Sequence, residues 1–175
     1  MHDAAVPDPA GIRPAGPRPE EPRRRTVELG GDEALRLLSE VPIGRIVFTR
    51  HALPAIRPVN HLVDGGAIVI RTHEGAALTR RTRHAGPGGV VVAYEADSFD
   101  SRTRLGRSVV VIGYCHLVTD PEETARYRAV LHPWTDRQGD HVVRIRPDVV
   151  TGVRLVPAGP DSFDPCGSGQ RHLPQ

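Results

Sequence analysis

The stretch from Ile43 to Leu78 constrains the fold more than any other part of the chain. Gly44 to Thr49 reads as a strand, rich in β-branched and aromatic residues. Leu53-Pro54 then turns the chain into a second strand, Ala55 to Val63. Asp64-Gly65-Gly66 is a hairpin turn, because positive φ costs glycine nothing, and Ala67 to Thr72 returns as a third strand. Strands joined this tightly pair antiparallel, since a parallel crossover needs a dozen residues or more. Pro58 has no N–H to give a ladder, so it marks an edge or a bulge. The centre of this second strand, Arg57-Pro58-Val59-Asn60-His61, is more polar than a purely structural strand requires.

The remaining elements arrange themselves around this block. Asp32 is the expected N-cap of a helix over Glu33 to Glu40, with Ala34, Leu37, Leu38 and Val41 as its buried stripe and Pro42 as its stop. Gly75 to His84 reads as a short helix carrying Arg80, Arg81 and Arg83, ended by Gly86-Pro87-Gly88-Gly89. Val90 to Ala96 and Ser108 to Val118 read as strands. Asp120-Pro121-Glu122-Glu123 opens a helix that ends near Leu131, with proline and acids where the helix dipole favours them. His141 to Ile145 and Val149 to Val156 close the domain as two strands split by Pro147. Strands predominate and hairpins join them, which predicts a mainly β fold, an antiparallel barrel with peripheral helices.

Residues 1–27 contain six prolines, an arginine triplet at Arg23 to Arg25 and almost no large apolar side chain, so they read as a disordered arm. Residues 157–175 read as a disordered tail, leaving 28–156 as the folded domain. Aromatic residues make up only 4% of the chain and Trp134 is the sole tryptophan, so the core must come from Val, Ile, Leu and Ala. A second subunit often completes a core of that kind, which makes a homodimer the expectation.

All 23 basic residues are arginine, which excludes lysine Schiff bases and lysine-held phosphates. The net charge of +2 and the interspersed acids make Arg23 to Arg25 a solvated flank, with neither nucleic acid nor membrane as partner. There is no apolar run long enough to span a membrane and no signal-like apolar segment, so a cytoplasmic location is expected. Cys115 and Cys166 do not suggest a disulfide, and the nine histidines stand singly, without metal-ligand spacing.

No phosphate-binding loop, nucleophile elbow or zinc-protease motif is present. Two features can carry chemistry. Asn60, on an edge strand beside Pro58, can read a planar polar-edged ligand together with backbone amides, or it can cap a bulge. Arg71-Thr72, followed by Gly75 and a helix N-terminus, suits an anion such as phosphate, or is a solvated strand end.

With Gly44-Arg45-Ile46-Val47-Phe48-Thr49, Pro58-Val59-Asn60, Asp64-Gly65 and Ile70-Arg71-Thr72 leading to Gly75 and Leu78, the chain resembles the pyridoxamine 5'-phosphate oxidase-like family of flavin-binding split barrels. Val92-Ala93-Tyr94-Glu95, Gly106 to Val111, Pro133-Trp134 and Val143-Arg144-Ile145 continue the likeness in order, across about residues 28–156. The resemblance implies a six-stranded split β-barrel that dimerises with FMN at the subunit interface. It places Arg57, Pro58, Val59, Asn60 and His61 along the flavin ring, with His61 as the one candidate proton donor. Arg71 and Thr72 would approach the phosphate, supported by Leu78 and Arg81, and Ser108 the ring edge. Trp134 and Arg144 would reach in from the second subunit.

Three departures qualify the likeness. Ala77 stands where relatives carry a phosphate-neutralising lysine or arginine, a loss of about 2 kcal/mol or roughly thirtyfold in affinity that Arg80 or Arg81 could offset. Arg107 stands where relatives often carry tryptophan, and the C-terminal arginine- and histidine-rich motif of true pyridoxamine phosphate oxidases is missing. The resemblance therefore implies an FMN-dependent oxidoreductase acting on an unidentified small molecule rather than a source of pyridoxal phosphate. Its alternatives are a deazaflavin-dependent or nitroimidazole-resistance-like reductase, or a non-catalytic flavin or haem protein with His61 or His116 on the iron.

Overall fold

The computed structural model of the protein describes residues 23–72, 77–132 and 141–159. Seven strands run in chain order: β1 Arg24–Leu29, β2 Ile43–Arg50, β3 Leu53–Asp64, β4 Ala67–Thr72, β5 Val90–Phe99, β6 Gly106–Leu117 and β7 His141–Pro157. Three helices, α1 Gly31–Ser39, α2 Ala77–His84 and α3 Pro121–Val130, lie among them. None of these helices is long and apolar enough to cross a membrane.

The sheet order is β1-β7-β4-β3-β2-β5-β6, and β6 also pairs with β7, so six strands close a ring and β1 is added outside it. All pairings are antiparallel, which makes the domain the expected six-stranded split barrel. The split arises where long strands change partners. β3 pairs with β2 from Leu53 to Asn60 and with β4 only from His61 to Asp64. β7 pairs with β4 at its start and with β1 at its end. Closure removes the exposed edges that a flat sheet of this size would present.

The barrel is filled by Ile46, Phe48, Ile68, Ile70, Val92, Tyr94, Val109, Val111, Val143 and Ile145. Ala34, Leu37 and Leu38 from α1 and Leu78 from α2 join the same cluster. A second cluster lies outside the ring, where Tyr127 and Leu131 of α3 and the residue after it cover Val69, Val142 and Leu62. Asp120 caps α3, its carboxylate accepting from the Glu123 N–H at 2.7 Å, with Pro121 next in the chain, as the sequence predicts.

Several boundaries differ from the sequence reading. β1 begins inside the segment read as an arm, because Arg24 to Leu29 finds a ladder partner in β7 from Gly152 to Pro157. Gly30, not Asp32, occupies the N-cap of α1, and Asp32 sits in its first turn. The first hairpin turns at His51-Ala52, with φ of 49° and 61°, and Leu53 is already paired with Arg50. That turn needs left-handed backbone twice and has no glycine to announce it, at a cost of roughly 1 kcal/mol per residue. Gly65 and Gly66, with φ of 57° and 78°, make the next hairpin as expected. Pro147 does not split the last strand. The ladder shifts register at Ile112/Gly113, and β7 continues past the proline through this bulge.

Gly44 holds a different kind of constraint. A Cβ added there would lie 2.3 Å from the Tyr94 hydroxyl oxygen and 2.5 Å from its Cζ. Tyr94 is fully buried, so its ring cannot swing into solvent. We expect Gly44→Ala to cost about 1–3 kcal/mol through overpacking, read as a lower urea midpoint at unchanged m-value.

Candidate functional site

β3 alternates its side chains about the barrel wall. Val59 and Val63 pack on the interior cluster, whereas Leu62 belongs to the outer one, which puts Asn60 outside and His61 inside. Since His61 pairs with Ile70, the ladder sets Asn60 beside Arg71 on the outer face. Both reach the same structure. The Asn60 carboxamide donates to the His132 carbonyl at 2.5 Å, and the Arg71 guanidinium donates to the carbonyls of Arg128 and Leu131 at 3.3 and 3.2 Å. Cationic and amide donors at a helix C-terminus complement its partial negative charge. On α3 itself, the Nε of Arg128 is buried with no hydrogen-bond partner among the described residues. The structure thus brings Asn60 and Arg71 together against the end of α3, a contact that sequence reasoning missed. The missing signal is tertiary, because α3 reaches this place only once the barrel exists.

Before Asn60, β3 pairs with β2 alone among the described residues, leaving an open edge along Leu53 to Val59. Pro58 sits on that edge, as its missing N–H predicts. Arg57 is exposed and donates to its own neighbour, the Ile56 carbonyl, at 2.7 Å. Thr72 turns toward α2, its hydroxyl 3.3 Å from that of the fully buried Thr79.

Other expected site residues lie elsewhere. His61 is a structural histidine: its Nε2 donates to the Leu38 carbonyl at 3.0 Å and its Nδ1 accepts from the Tyr94 hydroxyl at 2.8 Å. With both nitrogens engaged inside the wall, it is neither a proton donor on the Asn60 face nor positioned to hold a haem iron. Leu78 is 4% exposed and anchors α2 in the core, so its side chain does not face a ligand. Arg144 bonds within its own chain. Its guanidinium bonds Glu123 and, at 2.6 Å, the Tyr127 hydroxyl, which in turn donates to Asp64 at 2.6 Å. Hydrogen bonds from Tyr127, and then from Arg126, hold the Asp64 carboxyl below its ordinary range. This network pins α3 to the barrel. Ser108 shares the outer face, but β2 and β5 separate its strand from that of Asn60. Trp134 and Gly75 lie outside the described residues.

Arg81 lines a separate groove of about 670 Å³ with Thr49, Arg50, His51, Arg80 and His84. Neither Asn60, Arg71 nor Thr72 contributes to it. Arg107, at the position where tryptophan was expected, pairs with Glu40 at 2.8 Å.

Comparison with known proteins places this architecture. The family model described as pyridoxamine 5'-phosphate oxidase matches residues 31–154. An uncharacterized protein of Mycobacterium tuberculosis is 55% identical over 133 residues, covering 76% of this chain and 88% of the relative. A solved Corynebacterium glutamicum protein, provisionally named a pyridoxamine 5'-phosphate oxidase, is 32% identical with a TM-score of 0.62 over 77% of this chain and all (100%) of that one. An FAD binding protein from Mycobacterium smegmatis is 29% identical with a TM-score of 0.55, covering 74% of this chain and 98% of its own.

The His61 arrangement has a pH consequence. Burial lowers the His61 pKa from its ordinary 6.5, against a smaller opposing effect of the Leu38 carbonyl. The unfolded chain therefore binds the proton more readily, and stability is lost as pH falls below about 6.5 toward the folded value. We expect the urea midpoint to drop between neutral and mildly acidic pH. In His61→Gln that component of the pH dependence disappears.

Proposed function

The chain belongs to the pyridoxamine 5'-phosphate oxidase family, and on that premise we propose that it is a homodimeric flavoprotein using FMN to oxidise or reduce a small molecule. The observation that carries this reading is the adjacency of Asn60 and Arg71 at the end of an open strand edge. A flavin offers carbonyl oxygens and ring nitrogens along one edge and a phosphate at the other end. The donor set here fits those groups: the Asn60 carboxamide, the Arg71 guanidinium and the open side of β3.

When bound, FMN would supply hydride or single-electron chemistry that no side chain of this protein can perform. The protein's part is to bind and orient. Asn60 and the β3 edge would read the ring, and Arg71 would hold an anion. Val59 and His61, packed inward, keep that strand from rotating. The similarity to an FAD binding protein supports flavin as the ligand class. With His61 committed to Leu38 and Tyr94, proton transfer falls to solvent or substrate.

The outer face of the barrel supports the dimer reading. Ile56, Val47, Ala93, Ile112 and Val149 are consecutive ladder partners across β3, β2, β5, β6 and β7. Ile56, Ile112 and Val149 are 55%, 45% and 46% exposed, so an apolar row crosses five strands in the open. A second copy seated there would bury it, and would offer its own Ser108 to a site that this chain's Ser108 does not adjoin.

FMN titration of the purified protein, followed by flavin fluorescence, tests the site. Asn60→Ala and Arg71→Ala should each weaken binding about tenfold, the value of a charge-assisted or buried hydrogen bond. Unchanged affinity in both, with circular dichroism showing intact folds, would sink the assignment. Separately, Ile112→Arg should convert a dimer to a monomer by light scattering, since it places a charge in the centre of the apolar row.

A further inference from the structure

The groove that holds Arg81 is not explained by the flavin reading. Its wall comes from three places in the sequence: the end of β2 and its turn, with Thr49, Arg50 and His51; helix α2, with Arg80, Arg81 and His84; and the start of β5, with Val90 and Val91. Among the described residues its lining contains no acid. Several other arginines on the surface are paired with acids, as in Arg45 with Glu95, Arg107 with Glu40, Arg126 with Asp64 and Arg154 with Glu33. Arg50 and Arg81 have no hydrogen-bond or ion-pair partner among the described residues. Arginines from two different elements thus line one concavity with no acidic partner among the described residues.

The turn that delivers Arg50 is also under strain. His51 and Ala52 both hold left-handed backbone without being glycine, a conformation that persists where the surrounding structure demands it. It brings the end of β2 against α2, and so completes the groove.

We propose that this groove binds the phosphates of a nucleoside phosphate. Arg50 and Arg81 present planar forks that match phosphate oxygens in pairs, which a point charge does not. The volume of about 670 Å³ falls within the range of small-molecule sites and exceeds what a single phosphate requires. Val91, 62% exposed, together with Ala77 and Ala85 gives an apolar surface for a base, while Thr49 and His51 offer polar contacts to a sugar. The nucleotide has two sources: a free nucleotide, or the adenylate half of a dinucleotide whose other half lies on the flavin surface. The proposal does not depend on flavin binding, because the groove shares none of Asn60, Arg71 and Thr72.

The probe is ADP, titrated into the full-length protein by calorimetry without added flavin. Binding is expected to weaken with rising salt, because these cations are exposed and screened. Arg50→Ala combined with Arg81→Ala should weaken it about tenfold or more, whereas Arg50→Lys with Arg81→Lys should retain part of it. Both arginine side chains are exposed, so the variants keep the fold, and circular dichroism verifies this. No ADP binding by the wild type, or equal binding by the double alanine variant, overturns the proposal. The two sources separate in the FAD-to-FMN affinity ratio. A preference for FAD that Arg50→Ala abolishes identifies the dinucleotide, and ADP binding with no such preference identifies a free nucleotide. FMN binding lost without loss of ADP binding counts against the flavin reading alone.

Discussion

The domain depends on one buried hydrogen-bonded chain, from the Leu38 carbonyl through the His61 ring to the Tyr94 hydroxyl, closed against the bare backbone of Gly44. It joins α1, β3, β5 and β2, the elements that meet where the barrel is split. The two rings lie edge to face with centroids 5.2 Å apart, so the contact is packing as much as polarity. Low aromatic content sharpens its importance: with Trp134 the sole tryptophan and three tyrosines in the chain, one tyrosine fills the space that several aliphatic side chains would otherwise occupy. Once His61 is fixed inward, its neighbours Pro58 and Asn60 have no choice of face. The chemistry proposed for the outer surface is thus set by a contact that the ligand never meets.

Arginine is the working cation of this protein, and it serves in different environments. Arg71 and Arg144 tie α3 down, the first through helix-end carbonyls and the second through Glu123 and Tyr127. Arg45 bridges β2 and β5 through Glu95 and Asp97 on the solvent side. Such exposed pairs contribute little to stability, about 1 kcal/mol or less each. Their larger effect is to compensate cationic groups locally, a compensation that Arg50 and Arg81 lack among the described residues.

Much of this was legible in the sequence. The stripe Ala34, Leu37, Leu38 is buried as its helical spacing demands, Gly65-Gly66 turns as glycines do, and Pro58 does mark an edge. Each of those signals is local. What could not be read was non-local. His61 looks like an available base until Tyr94, far along the chain, is seen to occupy it. Leu78 and Arg144 look like ligand contacts until α2 and α3 claim them. Arg81 reads in the sequence as a companion of Arg71 and Thr72, but it lines a separate groove with Arg50 and His51, which carry no sequence pattern connecting them to it. The strained turn at His51-Ala52 was hidden because it lacks the glycine that usually betrays such a turn.

The position of β7 has a consequence for how the chain is made. It is the last strand among the described residues, yet β4, β6 and β1 all pair with it, and Arg24 finds its partner at Pro157. Until β7 has left the ribosome, each of those strands carries a bare edge, and the ring cannot close. The long-range pairing also raises contact order, which slows closure. Nascent chains therefore pass through an open-sheet stage rich in Val and Ile, the stage at which a chaperone would find most to bind.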